Sequence, residues 1–379
     1  MDVKNFMLTL KSLGAEFYTG VPDSLLSPFI DCVMARHGIS NQHVVAANEG
    51  AAVGLAAGHF LATGKPAVVY MQNSGIGNAI NPICSLLHQK VYALPVIFVV
   101  GWRGEPGIKD EPQHVFQGEV TLSQLEGMEI PHFIISNNTT QIELNACTEE
   151  FKKYIANGQS VAFVIRKESL HSDDKIKYVS NAELSREQIL GKIIERAGSN
   201  DVFVCTTGKL SREVFEIREQ KNMEHGQDFL TVGSMGHSLM IAYGVALAKS
   251  KKRVFCIDGD GAALMHLGSL GVAAASNLSN LIHIIINNGA HETVGGVPTV
   301  AAKIEFDKVA SALGYKYSFR VKNEEELLNV LDNITSNTFD GLVFVEIICN
   351  LKSRKDLGRP TTTPIQNKND LMKFLGAAK

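Results

Sequence analysis

What this chain lacks narrows it first. No stretch of its 379 residues strings together the roughly 18 apolar residues of a membrane-crossing helix; the run 93–102 is among the longest, so no membrane partner is expected. The segment 1–17 scatters Asp2, Lys4, Lys11 and Glu16 through an amphipathic helical pattern. It has no basic start, uninterrupted apolar stretch or small-residue cleavage site, which predicts no secretory leader and a cytoplasmic location. Charge of one sign is missing too. The 36 Lys and Arg stand against 39 Asp and Glu, a formal net charge of −3 with no strongly basic half, which argues against nucleic acid held through its phosphates. The six cysteines (Cys32, Cys84, Cys147, Cys205, Cys256, Cys349) form no CxxC pair and read as buried reduced thiols rather than disulfides or zinc ligands. No early strand–turn–helix unit carries GxGxxG with a downstream ribose-binding acid, which excludes a nicotinamide dinucleotide site. Aromatics are only 7% of the chain, so a core must come from Val, Ile, Leu and Ala.

What is present is an alternation of short Val/Ile-rich runs with helix-length segments. In the first half the runs are 17–19, 44–47, 67–71, 95–101, 132–135 and 161–165; in the second they are 202–205, 229–232, 254–257, 281–286, 317–319 and 342–347. Continuous apolar strands of this kind suit parallel sheets covered on both faces, which predicts an α/β protein with two doubly wound parallel-sheet domains. The polar stretch 167–186 is the linker, and Ser185-Arg186-Glu187-Gln188 supplies an N-cap signature for the helix after it. The domains are therefore set at 1–175 and 183–379. The tail 352–364, with four basic residues and two prolines, is expected to be irregular, and a short helix 369–375 to close the chain.

The strongest motif lies in the second half. The strand 254–257 runs into Asp258-Gly259-Asp260-Gly261-Ala262-Ala263, and the strand 281–286 runs into Asn287-Asn288-Gly289-Ala290. Ligands in open α/β sheets sit beyond the carboxyl ends of the strands, where both motifs fall. Gly259 and Gly261 let backbone amides approach a phosphate, and Asp260 with an Asn side chain offers hard oxygen ligands suited to magnesium. Either turn alone is common punctuation; the pair, each directly after a strand, is specific.

GDG, helix, strand, NN resembles the diphosphate and metal motif of the thiamine-diphosphate-dependent decarboxylases. The resemblance implies a first, pyrimidine-binding domain, a second, diphosphate-binding domain and no middle domain between them. It implies thiamine diphosphate and Mg2+ as cofactors, the metal held by Asp260, Asn288 and the Ala290 carbonyl, with Asn287 open as an alternative to Asn288. Around the cofactor it places Gly259, Gly261, Ala262, the loop Thr206-Thr207-Gly208-Lys209, the Gly233 carbonyl and a supporting Met235. Family members carry a Glu at a strand end opening a small-residue helix, which activates the aminopyrimidine; Glu49 matches. The bland alternative for Glu49 is a helix N-terminal charge.

Two segments, Tyr18 to Leu26 and Gly101 to His114, with the tail Ser353 to Thr361, resemble a narrower group, the phosphonopyruvate decarboxylases and more distantly the sulfopyruvate decarboxylases. The implied reaction is non-oxidative decarboxylation of 3-phosphonopyruvate, a small anionic 2-oxoacid, to phosphonoacetaldehyde. Asp23 and His114, expected on loops, match proton-transfer residues of related decarboxylases; a turn aspartate and an exposed histidine are the alternatives. The Glu that some members place six residues after the metal-binding Asn is Val294 here, with His291 and Glu292 nearby. Arg103, Lys109, Arg354, Lys355 and Arg359 are candidates to hold the phosphonate. Other readings are a sulfopyruvate decarboxylase, the first component of a 2-oxoacid dehydrogenase, and a non-catalytic binding protein. The family's sites form between subunits, which implies a homodimer or higher homo-oligomer.

Overall fold

The alternation resolves, in the computed structural model, into two six-stranded sheets in which every adjacent pair of strands runs parallel. The structure describes residues 1–176, 178–276, 278–336 and 338–377. The chain divides into two compact units, Met1–Lys177 and Tyr178–Lys379. Among the described residues no helix is long and apolar enough to cross a membrane.

In the first unit the strands are β1 (Tyr18–Gly20), β2 (His43–Val45), β3 (Val68–Gln72), β4 (Ile97–Gly101), β5 (His132–Ile135) and β6 (Val161–Ile165), in the spatial order β2-β1-β3-β4-β6-β5. In the second they are β7 (Val202–Cys205), β8 (Asp228–Leu230), β9 (Val254–Gly259), β10 (Leu281–Asn287), β13 (Tyr317–Val321) and β14 (Val343–Ile348), with a two-residue antiparallel pair, β11 (Ala290–His291) and β12 (Val297–Pro298), between β10 and β13. The second sheet reads β8-β7-β9-β10-β14-β13, the order of the first strand for strand. All twelve expected strands are found, each within three residues of its expected bounds; the β11–β12 hairpin was not anticipated.

Central strands β4, β6 and β10 are buried at every position, as strands with helices on both faces must be. One face of the first sheet (Val69, Met71, Phe98, Val100, Ala162, Val164) packs on Ala52, Val53 and Ala56 of the helix Glu49–Thr63 and on Ile76, Ala79 and Ile83. Close helix–sheet approach there is what the small residues of that helix provide. In the second unit Phe255, Ile257, Ile282, Ile284 and Ile286 face Ile189, Ile193, Val214 and Leu331.

The helix Arg186–Arg196 starts where expected, its Ser185 cap closed by a reciprocal bond with Gln188. The last helix is longer than expected: it spans Pro364–Phe374, because Thr363 and Gln366 make a capping box around Pro364 at the first helical position. No helix or strand forms between β6 and Ser185 among the described residues. Part of this segment is nonetheless tied to the first unit, where the Met1 amino group donates to the Ser169 carbonyl at 2.7 Å and Asp2 bridges His171.

Candidate active site

In the first unit the polar residues gather at the carboxyl ends of β1 to β4. Glu49 opens the helix Glu49–Thr63 behind an Asn48 cap, whose side chain accepts from the Ala51 N–H at 2.8 Å. Its carboxylate is buried, and Oε2 accepts from Asn78 Nδ2 at 2.8 Å. Gly75 makes room for it: a β-carbon there would stand 2.5 Å from Glu49 Oε1. Asp23 is only 2% exposed; Oδ1 accepts from Gln72 Nε2 at 2.6 Å and Oδ2 from the Leu25 N–H at 3.2 Å. Burial raises its pKa, opposed by the Gln72 hydrogen bond and the Arg103 charge. Gly101 is its Gly75, since a β-carbon there would lie 2.5 Å from Asp23 Oδ2.

His114 is not on a loop, which corrects the expectation, and it is not exposed, whereas the alternative reading of it required exposure. Pro112 starts the helix Pro112–Gly127, which puts His114 in its first turn and buries it. There the main chain crosses the Arg103 loop at two glycines. A β-carbon on Gly104 would meet the His114 carbonyl oxygen at 1.9 Å, and one on Gly118 the Gly104 carbonyl oxygen at 1.7 Å. His114 Nδ1 has no hydrogen-bond partner among the described residues, and burial, with the Arg103 charge, pulls its pKa down to about 4, so the ring is neutral.

In the second unit Asp260 begins the short helix Asp260–Met265. Its Oδ2 accepts from Thr299 Oγ1 at 2.7 Å, and the amides of Gly261 and Asn288 also serve the carboxylate. Even so, burial raises its pKa to about 6, and that of Asp258, two residues back in β9, to about 7. Two carboxyls driven toward neutrality at one strand end form a place where a divalent cation restores the charged forms. The donor set fits. Among the described residues Asn288 Oδ1 is engaged only by the Ala290 N–H at 3.0 Å, and Ala290 faces Pro298, which has no N–H to give its carbonyl. Asn287 is otherwise committed, its Nδ2 donating to Glu346 Oε1 at 2.8 Å and its Oδ1 accepting from Gly289.

Met235 and Gly261 are brought together, the Met235 methyl lying 3.4 Å from where a Gly261 β-carbon would be, with the His291 ring at 3.0 Å on another side. Thr207 Oγ1 donates to the Val232 carbonyl at 2.7 Å, and Gly208 (φ +97°) caps the helix Lys209–Gln220. Gly233 is half-buried, Ala262 is buried, and Gly259 has open space around it.

Glu292 does not stand ready as a proton source in place of Val294. Arg186 Nη1 donates to it at 2.6 Å and Lys209 lies 3.5 Å away; these cations outweigh burial and keep it ionised below its ordinary pKa. Its companion His291 is half-buried, and desolvation of its ring pulls the pKa down to about 4. Arg354 is likewise not a free anchor, since Glu187, Glu216 and Asp356 all pair with it. Lys109, Lys355 and Arg359 lie exposed.

Sequence reasoning passed over Gln72, Gly75, Asn78 and Thr299, whose partners are remote in the chain, and gave no role to Asp110, although its partner Arg103 is only seven residues away. It also passed over Cys256, Asp258 and His283 as a group, whose potential ligand atoms lie within 4.8 Å of one another; a histidine in the otherwise apolar run LIHIII was the available signal. A surface hollow of about 500 Å³ beside Glu126, His132, Glu150 and Tyr154 contains none of the selected residues.

Comparison with known proteins bears on the whole chain. Residues 3–126 match the thiamine pyrophosphate enzyme N-terminal TPP binding domain, and residues 206–347 the C-terminal TPP binding domain. A phosphonopyruvate decarboxylase of Streptomyces viridochromogenes is 30% identical over 94% of this chain and 90% of that protein. One from Streptomyces hygroscopicus is 31% identical over 96% and 91%, and a sulfopyruvate decarboxylase of Methanosarcina acetivorans 28% identical over 73% and 74%. With both cofactor-binding domains matched and relatives aligned almost end to end, the chain belongs to the thiamine pyrophosphate enzyme family, alongside the phosphonopyruvate decarboxylases.

Proposed function

We propose that the protein decarboxylates 3-phosphonopyruvate to phosphonoacetaldehyde and carbon dioxide without oxidation, using thiamine diphosphate and Mg2+. The observation that carries this reading is the alignment with phosphonopyruvate decarboxylases across both domains. In the reaction the C1–C2 bond breaks, its electron pair stays on C2, and C2 takes up a proton.

The cofactor, when bound, supplies the sink for that electron pair. Asp260, Asn288 Oδ1 and the Ala290 carbonyl would hold Mg2+, and the turn from Gly259 to Ala262 with Thr207 and Gly208 would take the diphosphate. Gly233 and Met235 would support the cofactor's centre. Glu49 Oε1 would face the pyrimidine ring and share a proton with it, while Asn78 keeps Oε2 in place. Asp23, whose pKa burial raises, and His114, whose Nδ1 has no partner among the described residues, are suited to relay the proton that C2 receives. The domain between residues 1 and 175 would then carry the pyrimidine end and the domain from 183 to 379 the diphosphate end.

A homodimer or larger assembly with sites between subunits accompanies this reading. Gly54 and Gly58 meet no atom that a β-carbon could touch, and Leu55 and Leu61 on the same helix are exposed. Close approach by another helix is the use such a surface has. Sulfopyruvate is the second substrate reading, on the strength of the Methanosarcina relative.

Aldehyde release from each oxoacid, with and without added thiamine diphosphate and Mg2+, tests the proposal. The expected outcome is cofactor-dependent turnover that favours phosphonopyruvate. Preference for sulfopyruvate reverses the substrate assignment, and a requirement for an acyl acceptor points instead to a dehydrogenase component.

A further inference from the structure

Among the described residues Arg103 is held by a single acid, unlike Arg354 with its three, and is fixed in direction while keeping donors to spare. Its main chain is clamped by one buried amide. Asn73 Oδ1 accepts from the Arg103 N–H at 3.1 Å, while Asn73 Nδ2 donates to the Arg103 carbonyl and to Thr121 Oγ1, each at 2.8 Å. Its guanidinium is held along one edge by Asp110, Nε donating to Oδ2 at 2.8 Å and Nη2 to Oδ1. Asp110 is fixed in turn by the N–H groups of Gly104 (2.9 Å) and Glu111 (2.8 Å).

On the other side Nη1 donates to Ser24 Oγ at 3.2 Å, next in the chain to Asp23. A guanidinium has five N–H donors. Asp110 and Ser24 take three, and no hydrogen bond among the described residues uses the last two, one on each terminal nitrogen. The Ser24 hydroxyl hydrogen is a further donor. The Arg103 side chain keeps 21% of its surface exposed, so these donors can be reached. Lysines 109 and 355 offer charge without such fixed direction.

We infer that Arg103 and Ser24 form the subsite for the phosphonate end of the substrate, and that Asp110 is the positioning residue that aims the guanidinium. Because Asp110 offsets the arginine charge, the grip comes from directed hydrogen bonds to tetrahedral oxyanion oxygens rather than from net attraction. A lysine in this position would keep the charge and lose the fork. This inference rests on the decarboxylase reading for its substrate, but the binding test does not depend on turnover.

The test is calorimetric titration of the cofactor-loaded enzyme with 3-phosphonopropionate and, separately, with propionate. The wild type is expected to bind the phosphonate acid about 10- to 100-fold more tightly, the range that one or two hydrogen bonds to a charged group provide. Arg103→Ala should erase that gap while moving propionate affinity little, and Arg103→Lys should recover only a minor part of it. Asp110→Asn should raise KM for phosphonopyruvate more than it lowers kcat. A wild type that binds both acids alike, a gap that survives Arg103→Ala, equal weakening of both acids, or full recovery by Arg103→Lys each overturns the subsite. An Arg103-dependent gap in an enzyme that does not turn phosphonopyruvate over leaves the subsite standing and removes the substrate reading.

Discussion

At the carboxyl end of β3 the first unit places Gln72 and Asn73, amides whose side chains reach Asp23 and the Arg103 backbone. At the corresponding end of β9 the second unit places Asp258 and Asp260. The next strands diverge in the same sense: β4 leads to an arginine already paired with Asp110, and β10 to Asn288, whose side-chain oxygen is lightly used. Identical strand order thus supports opposite treatment of buried polar groups. The first unit answers its acids from within, using Gln72 for Asp23 and Asn78 for Glu49. The second leaves two acids under-compensated and close to oxygen donors. Topology supplies the addresses at the strand ends, and the residues placed there decide whether an address holds a proton or invites a cation.

Replacing one acid in each unit should separate these roles by the largest margin. Glu49→Gln is expected to lower kcat by about 10³-fold, within the range of a lost acid–base group, while Mg2+-dependent cofactor binding persists. Asp260→Asn should weaken that binding itself by about 100-fold or more, since it removes a charged ligand. Equilibrium titration of cofactor with Mg2+, beside steady-state rates, checks both. Loss of binding in the Glu49 variant would break the division.

Glycines give the next contrast. Gly75→Ala drives a β-carbon into Glu49 Oε1 and should cost about 1–3 kcal/mol of stability together with activity. Gly259 has φ −101° and nothing within 4 Å of an added β-carbon, so Gly259→Ala should change stability by less than about 0.5 kcal/mol. Any loss it causes should appear as weaker cofactor affinity. Chemical denaturation and cofactor titration of both variants distinguish a seat for a side chain from a seat for a phosphate.

The last contrast is in pH. His114 titrates near 4 in the fold and near 6.5 when unfolded, so the unfolded chain binds its proton first, and stability is lost as pH falls through that window. His114→Gln should therefore gain on the wild type from about pH 6.5 down to 4. Asp258 keeps its proton up to about 7, whereas the unfolded chain releases it near 3.9, so stability is lost as pH rises. Asp258→Asn should gain on the wild type from about pH 4 up to 7 in the metal-free protein. Thermal melts across the range would show slopes of opposite sign, because burial disfavours a cation on one side chain and an anion on the other; a shared sign would mean that one of the two groups is not desolvated in the fold.

The strands were legible because a fully buried parallel strand is written as an unbroken apolar run, and GDG and NN were legible because each sits directly after one. The β11–β12 hairpin was not, since two-residue strands leave no pattern to read. The commitment of Asn287 needed Glu346, which reaches it only because β14 lies beside β10. The burial of His114 depends on the crossing of Gly104 and Gly118, fourteen residues apart. Arg354 looked available because Glu187 and Glu216 belong to helices far from it in the chain. In each case the missing information was a neighbour rather than a residue type.

The fit of Gly75 against Glu49 also constrains how this sequence can change over generations. Any single-base change that replaces a glycine adds at least one carbon, and here the added carbon meets the carboxylate oxygen at 2.5 Å. Every such step away from that glycine makes the longer acid move. Glutamate at 49 and the absence of a side chain at 75 are therefore coupled: a side chain at 75 fits only where the acid at 49 shifts or is shortened.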